Sequence, residues 1–347
     1  MLYVTTRSKN DAFTAARTMN LDRGPDGGLF IPFRLTTFSK EQILALKDKS
    51  FGQNIADILN LFFATKLTGW EVEMSIGRTP FKHRSMNYRI IISELWHNID
   101  NNFERVVNAL AQRIHADGLL IGAPSDWVQT AIRIAVLFGI FGELQRTEQV
   151  RVDTPVDIAV PSGSFCLPMA AWYGRKMGLP IGTIICGCNE NSAPWDLIHR
   201  GELDTDGIAV ATNTPECDLA IPSGLERLIC ESCDQEEAMN FFFSCTDGST
   251  YRPSQEAFDA IRQGMFAAVI SRIREETIIP SVYRTNQYIL DPYAALAYGA
   301  LSDYRARHGS SRTVLMICEK SPVFSSEMVS KTMGITVNEL KIRISEM

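Results

Sequence analysis

Apolar residues recur along this chain with two spacings, and the balance between them changes near residue 156. Before it, helical stripes dominate. Ser39 opens "SKEQILALKD" with Gln42 three residues on, a capping box ahead of a helix. "NIADILNLFFATKL" continues with Ile55, Ile58, Leu59 and Phe62 on one face. In "HNIDNNFERVVNALAQRI", Asp100 is placed to cap a helix whose buried stripe is Phe103, Val106, Val107, Leu110 and Ile114. "SDWVQTAIRIAVLFGIFGEL" is apolar around most of its circumference and is expected to be a buried helix. "YRIIISELW", from Tyr88 to Trp96, reads instead as a strand.

From residue 156 short apolar runs ("VDIAV", "IGTIICGC", "TVLMIC") alternate with helical stretches. That alternation predicts an α/β fold with a parallel sheet flanked by helices. "SQEAFDAIRQGMFAAVISRI" and "PYAALAYGALSDYRARHG" are expected to be covering helices, the second ending on Gly309. Thr336 and Glu339 form a capping box for a last helix. The Gly-rich turn "DGGLFIP" and the helical patterns after it make residues 1–85 a mostly helical N-terminal cap. Residues 86–347 are expected to form the large α/β domain. There are no repeats and no low-complexity linker.

Composition narrows the function classes. A chain of 347 residues, 45% apolar and 21% charged, is ordinary globular material. A net charge of −6 argues against nucleic acid or an anionic membrane as the partner, since both need clustered Lys and Arg. "MLYVTTRSKN" lacks the apolar core of a signal peptide and no run of twenty apolar residues occurs, so the expected address is the cytoplasm. The eight cysteines are scattered and read as reduced thiols. Cys186-x-Cys188 and Cys230-x-x-Cys233 lack the further ligands that a tetrahedral zinc site needs, and no metal is expected.

The candidate chemistry sits at Pro161-Ser162-Gly163-Ser164-Phe165, between the apolar run 156–160 and a helical pattern. A helix N-terminus presents unpaired N–H groups with partial positive charge, two serine hydroxyls add donors, and Gly163 admits close approach. Such a turn can cup a phosphate, although Ser-Gly turns also serve as plain connectors.

"VPSGSF…MAAWYGRKMGLPIGTIICGCNEN" resembles the second half of threonine synthase, a fold-type-II enzyme dependent on pyridoxal 5′-phosphate, whose equivalent turn G-N-F-G holds the cofactor phosphate. "YVTTRS", "PDGGLFIP", "ISELWHN", "GLERLICE" and "LDPYAALAYGAL" resemble further motifs of that family, in family order from residue 3 to about residue 330. The resemblance implies the tryptophan-synthase-β-like fold of these enzymes. It also implies a phosphate site at Ser162, Gly163, Ser164 and Phe165. His97 matches the family's loop histidine and Asn189 and Asn191 its N-E-N stretch, which makes these three the expected ligand pocket.

The departures matter as much. The family carries its cofactor-binding lysine in H-G-P-T-x-x-F-K-D, and "HNIDNNFER" puts Glu104 at that position. A carboxylate cannot condense with an aldehyde. The family's small cofactor-side subdomain is reduced to "HADGLLIGAP", a deletion centred on residues 115–125. "CEKSPVF" keeps Pro322 and Phe324 of T-A-H-P-A-K-F but loses its Thr and His, Ser164 and Cys166 replace Asn and Gly in the cup, and Asp126 and Gln129 stand where the family has N-x-x-R. Among the lysines only Lys82 and Lys320 fall near the ancestral cleft, and both are expected to be solvated.

These losses predict a pseudoenzyme: no bound cofactor, no confident catalytic residue beyond His97 as a weak general acid or base, and a small phosphorylated ligand at the cup. With the subdomain gone, an exposed apolar face is expected in the old cleft, open to a protein partner or a second copy. The alternatives are a threonine-synthase-like lyase using a non-homologous lysine and a phospho-lyase that works without pyridoxal phosphate.

Overall fold

The computed structural model of this chain describes residues 1–76, 81–97, 103–114 and 124–347. The expected cap at Asp100 and nearly all of the shortened stretch 115–125 lie outside the described residues.

Among the described residues the strands form two sheets. β1 (Leu2–Thr5), β2 (Phe13–Thr14) and β3 (Phe30–Pro32) make a small antiparallel sheet in the order β2-β1-β3. α1 (Ala15–Asn20) packs on it, and α2 (Lys40–Leu44), α3 (Phe51–Phe63) and α4 (Gly69–Ile76) follow along the chain. Ser39 caps α2 through the capping box read from sequence.

The large sheet has six strands: β4 (Lys82–Met86), β5 (Ile90–Glu94), β6 (Val156–Pro161), β7 (Ile181–Cys188), β8 (Met265–Val269) and β9 (Val314–Cys318). Their order is β4-β5-β9-β6-β7-β8; the β4–β5 hairpin is antiparallel and every other pairing is parallel. β4 belongs to this sheet, so residues 82–85 stand with the α/β unit and not with the N-terminal cap.

Period-2 alternation explains why these runs are nearly apolar throughout: both faces of the sheet are covered. Ile91, Ile158, Val160, Ile184, Cys186, Leu315 and Ile317 point into one core. Ile90, Ile92, Ala159, Ile185, Val314, Met316 and Cys318 point into the other. The first core is filled by α3, α5 (Glu104–Ile114), α6 (Asp126–Arg146) and α7 (Cys166–Lys176). All five residues of the stripe expected in α5 are buried. α6 has the length and apolar character of a membrane span, but 89% of its apolar window is buried inside the protein. A helix apolar on every side is what a core helix between α3 and α7 requires.

After β7 come a single turn α8 (Ala193–Trp195), then α9 (Gly224–Ser232) and α10 (Gln235–Asp247). The stretch expected to be one long helix from Ser254 to Ile273 is instead α11 (Gln255–Gly264), edge strand β8, and α12 (Arg272–Asn286). Met265 and Ala267 enter one core and Phe266 and Ala268 the other. Two-sided burial of "MFAAV" thus overrides the helical reading. α13 (Pro292–His308), capped by Asp291 and ended by Gly309 in the left-handed region, crosses the second face. Gly187 makes this crossing close: a Cβ there would collide with the main chain of Leu296. α14 (Ser326–Met333) and α15 (Val337–Glu346) complete that layer, α15 through the Thr336/Glu339 capping box.

Candidate functional site

The cup follows the C-terminal end of β6, beside the edge where open α/β sheets place ligands. The N–H of Ser162 donates to the carbonyl of Gly187 (2.8 Å), tying the turn to β7, and the N–H of Phe165 donates to the carbonyl of Ser162 (2.9 Å). Gly163 is left-handed at φ +47, and a Cβ there would meet nothing within 4 Å, so the turn faces open space. Phe165 is left-handed at φ 74 and provides no side-chain cap, which leaves the first N–H groups of α7 without one. Backbone held this way in a non-glycine residue recurs at ligand sites.

Beneath the cup lies a chamber of about 60 Å³. Ser162, Gly163, Ser164, Arg133, Glu216 and Lys320 line it, with Asp291, Tyr293 and Glu319 behind. Lys320 is only 4% exposed. Its ammonium pairs with Glu216 and lies 4.8 Å from the ring centre of Tyr293 and 4.3 Å from that of Phe324. The expectation that Lys320 is solvated is therefore corrected. Lys82, by contrast, is exposed on β4 and does not line the chamber.

Arg133 grips Glu319 with two hydrogen bonds (2.7 and 2.9 Å). Asp126 lies 2.6 Å from Arg227, accepts from Ser223 Oγ (3.0 Å), and receives the thiol of Cys166 (3.7 Å). Arg227, fully buried, also donates to the carbonyl of Phe30 in β3.

Burial raises Glu216 above the usual carboxylate range against the pull of Lys320. It pushes Asp291 up to about 7, against the opposing N–H groups of Ala294 and Tyr293. Cys166 is pushed up to about 11, by burial first and then by the charge of Asp126. Burial also pushes Cys217 up to about 12, and its sulfur accepts the N–H of Gly163 (3.3 Å). Both thiols beside the cup are protonated at neutral pH and are not nucleophiles.

A wider cleft of about 520 Å³ adjoins the chamber, sharing Arg133, Ser164 and Glu216 with it. Glu104, Asp126 and Gln129 line this cleft, together with Asp22 and Arg23. Among the described residues its wall is thus largely charged, and the expected apolar face is not found there.

The site residues read from sequence separate into two groups. Ser162, Gly163 and Ser164 line the chamber, while Phe165 is buried behind them as the N-cap position of α7. His97 stacks on Trp96 at 3.9 Å and pairs with Glu94, lining neither cavity. Burial would raise Glu94, but hydrogen bonds from His97 and Tyr288 and the charge of Arg84 hold it below its ordinary value. Asn189 donates to Thr212, Thr214 and Asp218, and Asn191 to the carbonyl of Val210. These two build the loop that carries Glu216 and Cys217, and Asn191 borders a separate cavity. Arg133, Glu216, Asp291 and Glu319 went unnoticed in the sequence. The one available signal was the charged "CEKS" placed directly after a buried strand.

Comparison with known proteins bears on the fold that carries this site. A family model for the threonine synthase N terminus matches residues 2–79. Human threonine synthase-like 1 is 31% identical over 147 residues, 42% of this chain but 20% of that protein's length. Threonine synthase of Saccharomyces cerevisiae is 24% identical over 156 residues, 41% of this chain and 30% of the yeast protein. The sequence match therefore spans well under half the length of these relatives. Its fold matches the crystal structure of threonine synthase from Brucella melitensis with bound pyridoxal phosphate at a TM-score of 0.79 and 18% identity, covering 96% of this chain and 92% of that one. The yeast enzyme's structure matches at 0.79 and 16%, covering 96% and 90%. The N-terminal match, the sequence relatives and the shared fold together support a relationship of this chain to the threonine synthase family.

Proposed function

We propose that this protein is a non-catalytic member of its family that binds a small phosphorylated ligand at the Ser162-Gly163-Ser164 cup. The observation that carries this reading is the pairing of a side-chain-uncapped helix N-terminus with a chamber whose charges already satisfy one another. Lys320 is engaged by Glu216, and Arg133 by Glu319. A phosphate group meets N–H donors and the positive end of α7 there.

Pyridoxal 5′-phosphate, the cofactor the resemblance implies, does not fit these residues. Its phosphate suits the cup, but about 60 Å³ is far below the roughly 300–1,000 Å³ of pockets that enclose a ring-bearing ligand. The adjoining cleft brings Glu104, Asp126 and Glu216 towards it. A small phosphorylated compound is favoured over a protein partner because the cleft wall is charged.

Calorimetric titration of the full chain with inorganic phosphate and O-phosphohomoserine tests this. Saturable binding is expected, with no release of phosphate from O-phosphohomoserine. Gly163→Asp sets a carboxylate where a side chain has open room and should weaken binding at least roughly tenfold, the equivalent of one lost charged contact. Stoichiometry and affinity for O-phosphohomoserine both left unchanged by Gly163→Asp would refute the cup.

A second reading is favoured by Lys320 alone, a buried amine beside an anion cup. It predicts that incubation with pyridoxal 5′-phosphate and borohydride leaves one stable adduct, at Lys320, which mass spectrometry would locate. The first reading expects no adduct there.

A further inference from the structure

The opposite edge of the large sheet carries a cavity of about 400 Å³, at the N-terminal ends of β7 and β8 and under the last turn of α13. Arg262, Arg307, His199 and His308 border it, and among the described residues no carboxylate does. Phe266 and Tyr304 contribute aromatic wall. Phe266 packs edge-on to His199 (5.1 Å) and His308 (5.5 Å), and Tyr304 stacks on His308 (4.7 Å).

The donors here are unspent. Arg133 and Arg274 each grip a carboxylate with two hydrogen bonds. Arg262 and Arg307 have none within ion-pair distance among the described residues, and rest instead on the rings of Phe258 (5.0 Å) and Phe266 (5.7 Å). Cation–π contact holds a guanidinium in place without using its N–H groups. Each histidine gives one ring nitrogen to a backbone carbonyl, His199 Nε2 to Ala267 (2.6 Å) and His308 Nδ1 to Tyr304 (3.0 Å), which leaves the other for a ligand. The hydroxyls of Thr183 and Tyr304 share a hydrogen bond (3.0 Å) at the same wall. Burial first, and then Arg307, Arg262 and His308, lower the pKa of His199, so the charged neighbours it feels are cations.

The plain account is that basic residues offset helix C-termini, since Arg262 ends α11 and Arg307 and His308 end α13. Two helix ends carry about −0.5 each, so two arginines exceed them by about one full charge before either histidine is protonated. In a chain of net charge −6 that surplus is local and directed at one cavity.

We infer that this cavity is a second ligand site, taking a small anionic metabolite whose phosphate or carboxylate group is held by Arg262 and Arg307. Planar guanidinium forks match both groups with paired hydrogen bonds. The site is separate from the cup and does not depend on ligand binding there.

The test uses the full chain carrying Gly163→Asp, so that the cup is blocked, titrated with inorganic phosphate and with succinate. One saturable site with a dissociation constant below about 1 mM is expected for at least one probe, which also tells phosphate from dicarboxylate recognition. Adding Arg262→Gln and Arg307→Gln should weaken it roughly tenfold or more while melting temperature holds, since both side chains are exposed. The imidazole resonances of His199 and His308 should shift on addition of the bound probe, a readout that needs no variant. Absence of saturable binding for both probes, affinity unchanged by the arginine substitutions, or unmoved imidazole resonances would each overturn the inference. Phosphate binding lost to Gly163→Asp alone, with no saturable succinate binding, would leave the cup standing and this site refuted.

Discussion

The two edges of the parallel sheet handle charge in opposite ways. At the cup, each cation beside the chamber has an anion: Lys320 has Glu216, Arg133 has Glu319, and one layer out Arg227 has Asp126. At the far edge Arg262 and Arg307 lie on aromatic rings with no carboxylate beside them. A buried network closed on itself fixes shape and resists change, since losing one partner strands the other in low dielectric. Exposed cations without carboxylate partners contribute little to the fold and remain available for a ligand.

The largest expected effect strikes the closed network. Arg227→Met strands Asp126 and unpairs the carbonyl of Phe30, which should cost roughly 3–5 kcal/mol in urea unfolding. Arg262→Gln at the other edge should stay within about 0.5 kcal/mol, as surface changes usually do. Equal costs for the two would erase the contrast.

Next comes pH. Asp291 has a folded-state pKa of about 7 against an ordinary value of 3.8, so folding favours its protonated form. Its contribution is complete below about pH 3.8 and is lost as pH rises through about 7. Asp291→Asn keeps the helix cap and removes the titration. The variant's stability should fall less than that of the parent between pH 5 and pH 8, by on the order of a few kcal/mol in paired urea melts. Parallel profiles would show that the chamber is not as dry as its lining implies.

Gly187→Ala is a smaller perturbation, driving a methyl into the main chain of α13 where that helix crosses β7. Overpacking of this kind costs about 1–3 kcal/mol. Because Gly187 also accepts from Ser162, ligand affinity at the cup should fall along with the melting temperature. A loss of stability with affinity unchanged would separate the cup from the packing beneath it.

Much of the architecture was legible because burial on both faces writes itself into strands as unbroken apolar runs. "VDIAV" and "TVLMIC" became β6 and β9, and the stripe of α5 was read residue by residue. "MFAAV" was lost because its five residues sit between two helical patterns, and a short apolar run carries no period of its own. The cup was legible as a turn between strand and helix. Its floor was not: Lys320 is buried by Tyr293 and Phe324 and neutralised by Glu216, and two of those three lie far from it in the chain. His97, Asn189 and Asn191 line neither the chamber nor the adjoining cleft; their polar groups are spent on Glu94 and on the loop 210–218.

Asp126 joins three segments at a single carboxylate: it begins α6, faces Arg227 on α9 and accepts from Ser223 at that helix's N-cap, and receives the thiol of Cys166 at the start of α7. Through Arg227 the same brace reaches the carbonyl of Phe30 in the N-terminal sheet. An occupant settling against α7 would therefore damp fluctuations more than a hundred residues away in sequence, and slower amide exchange across β3 would be the trace it leaves.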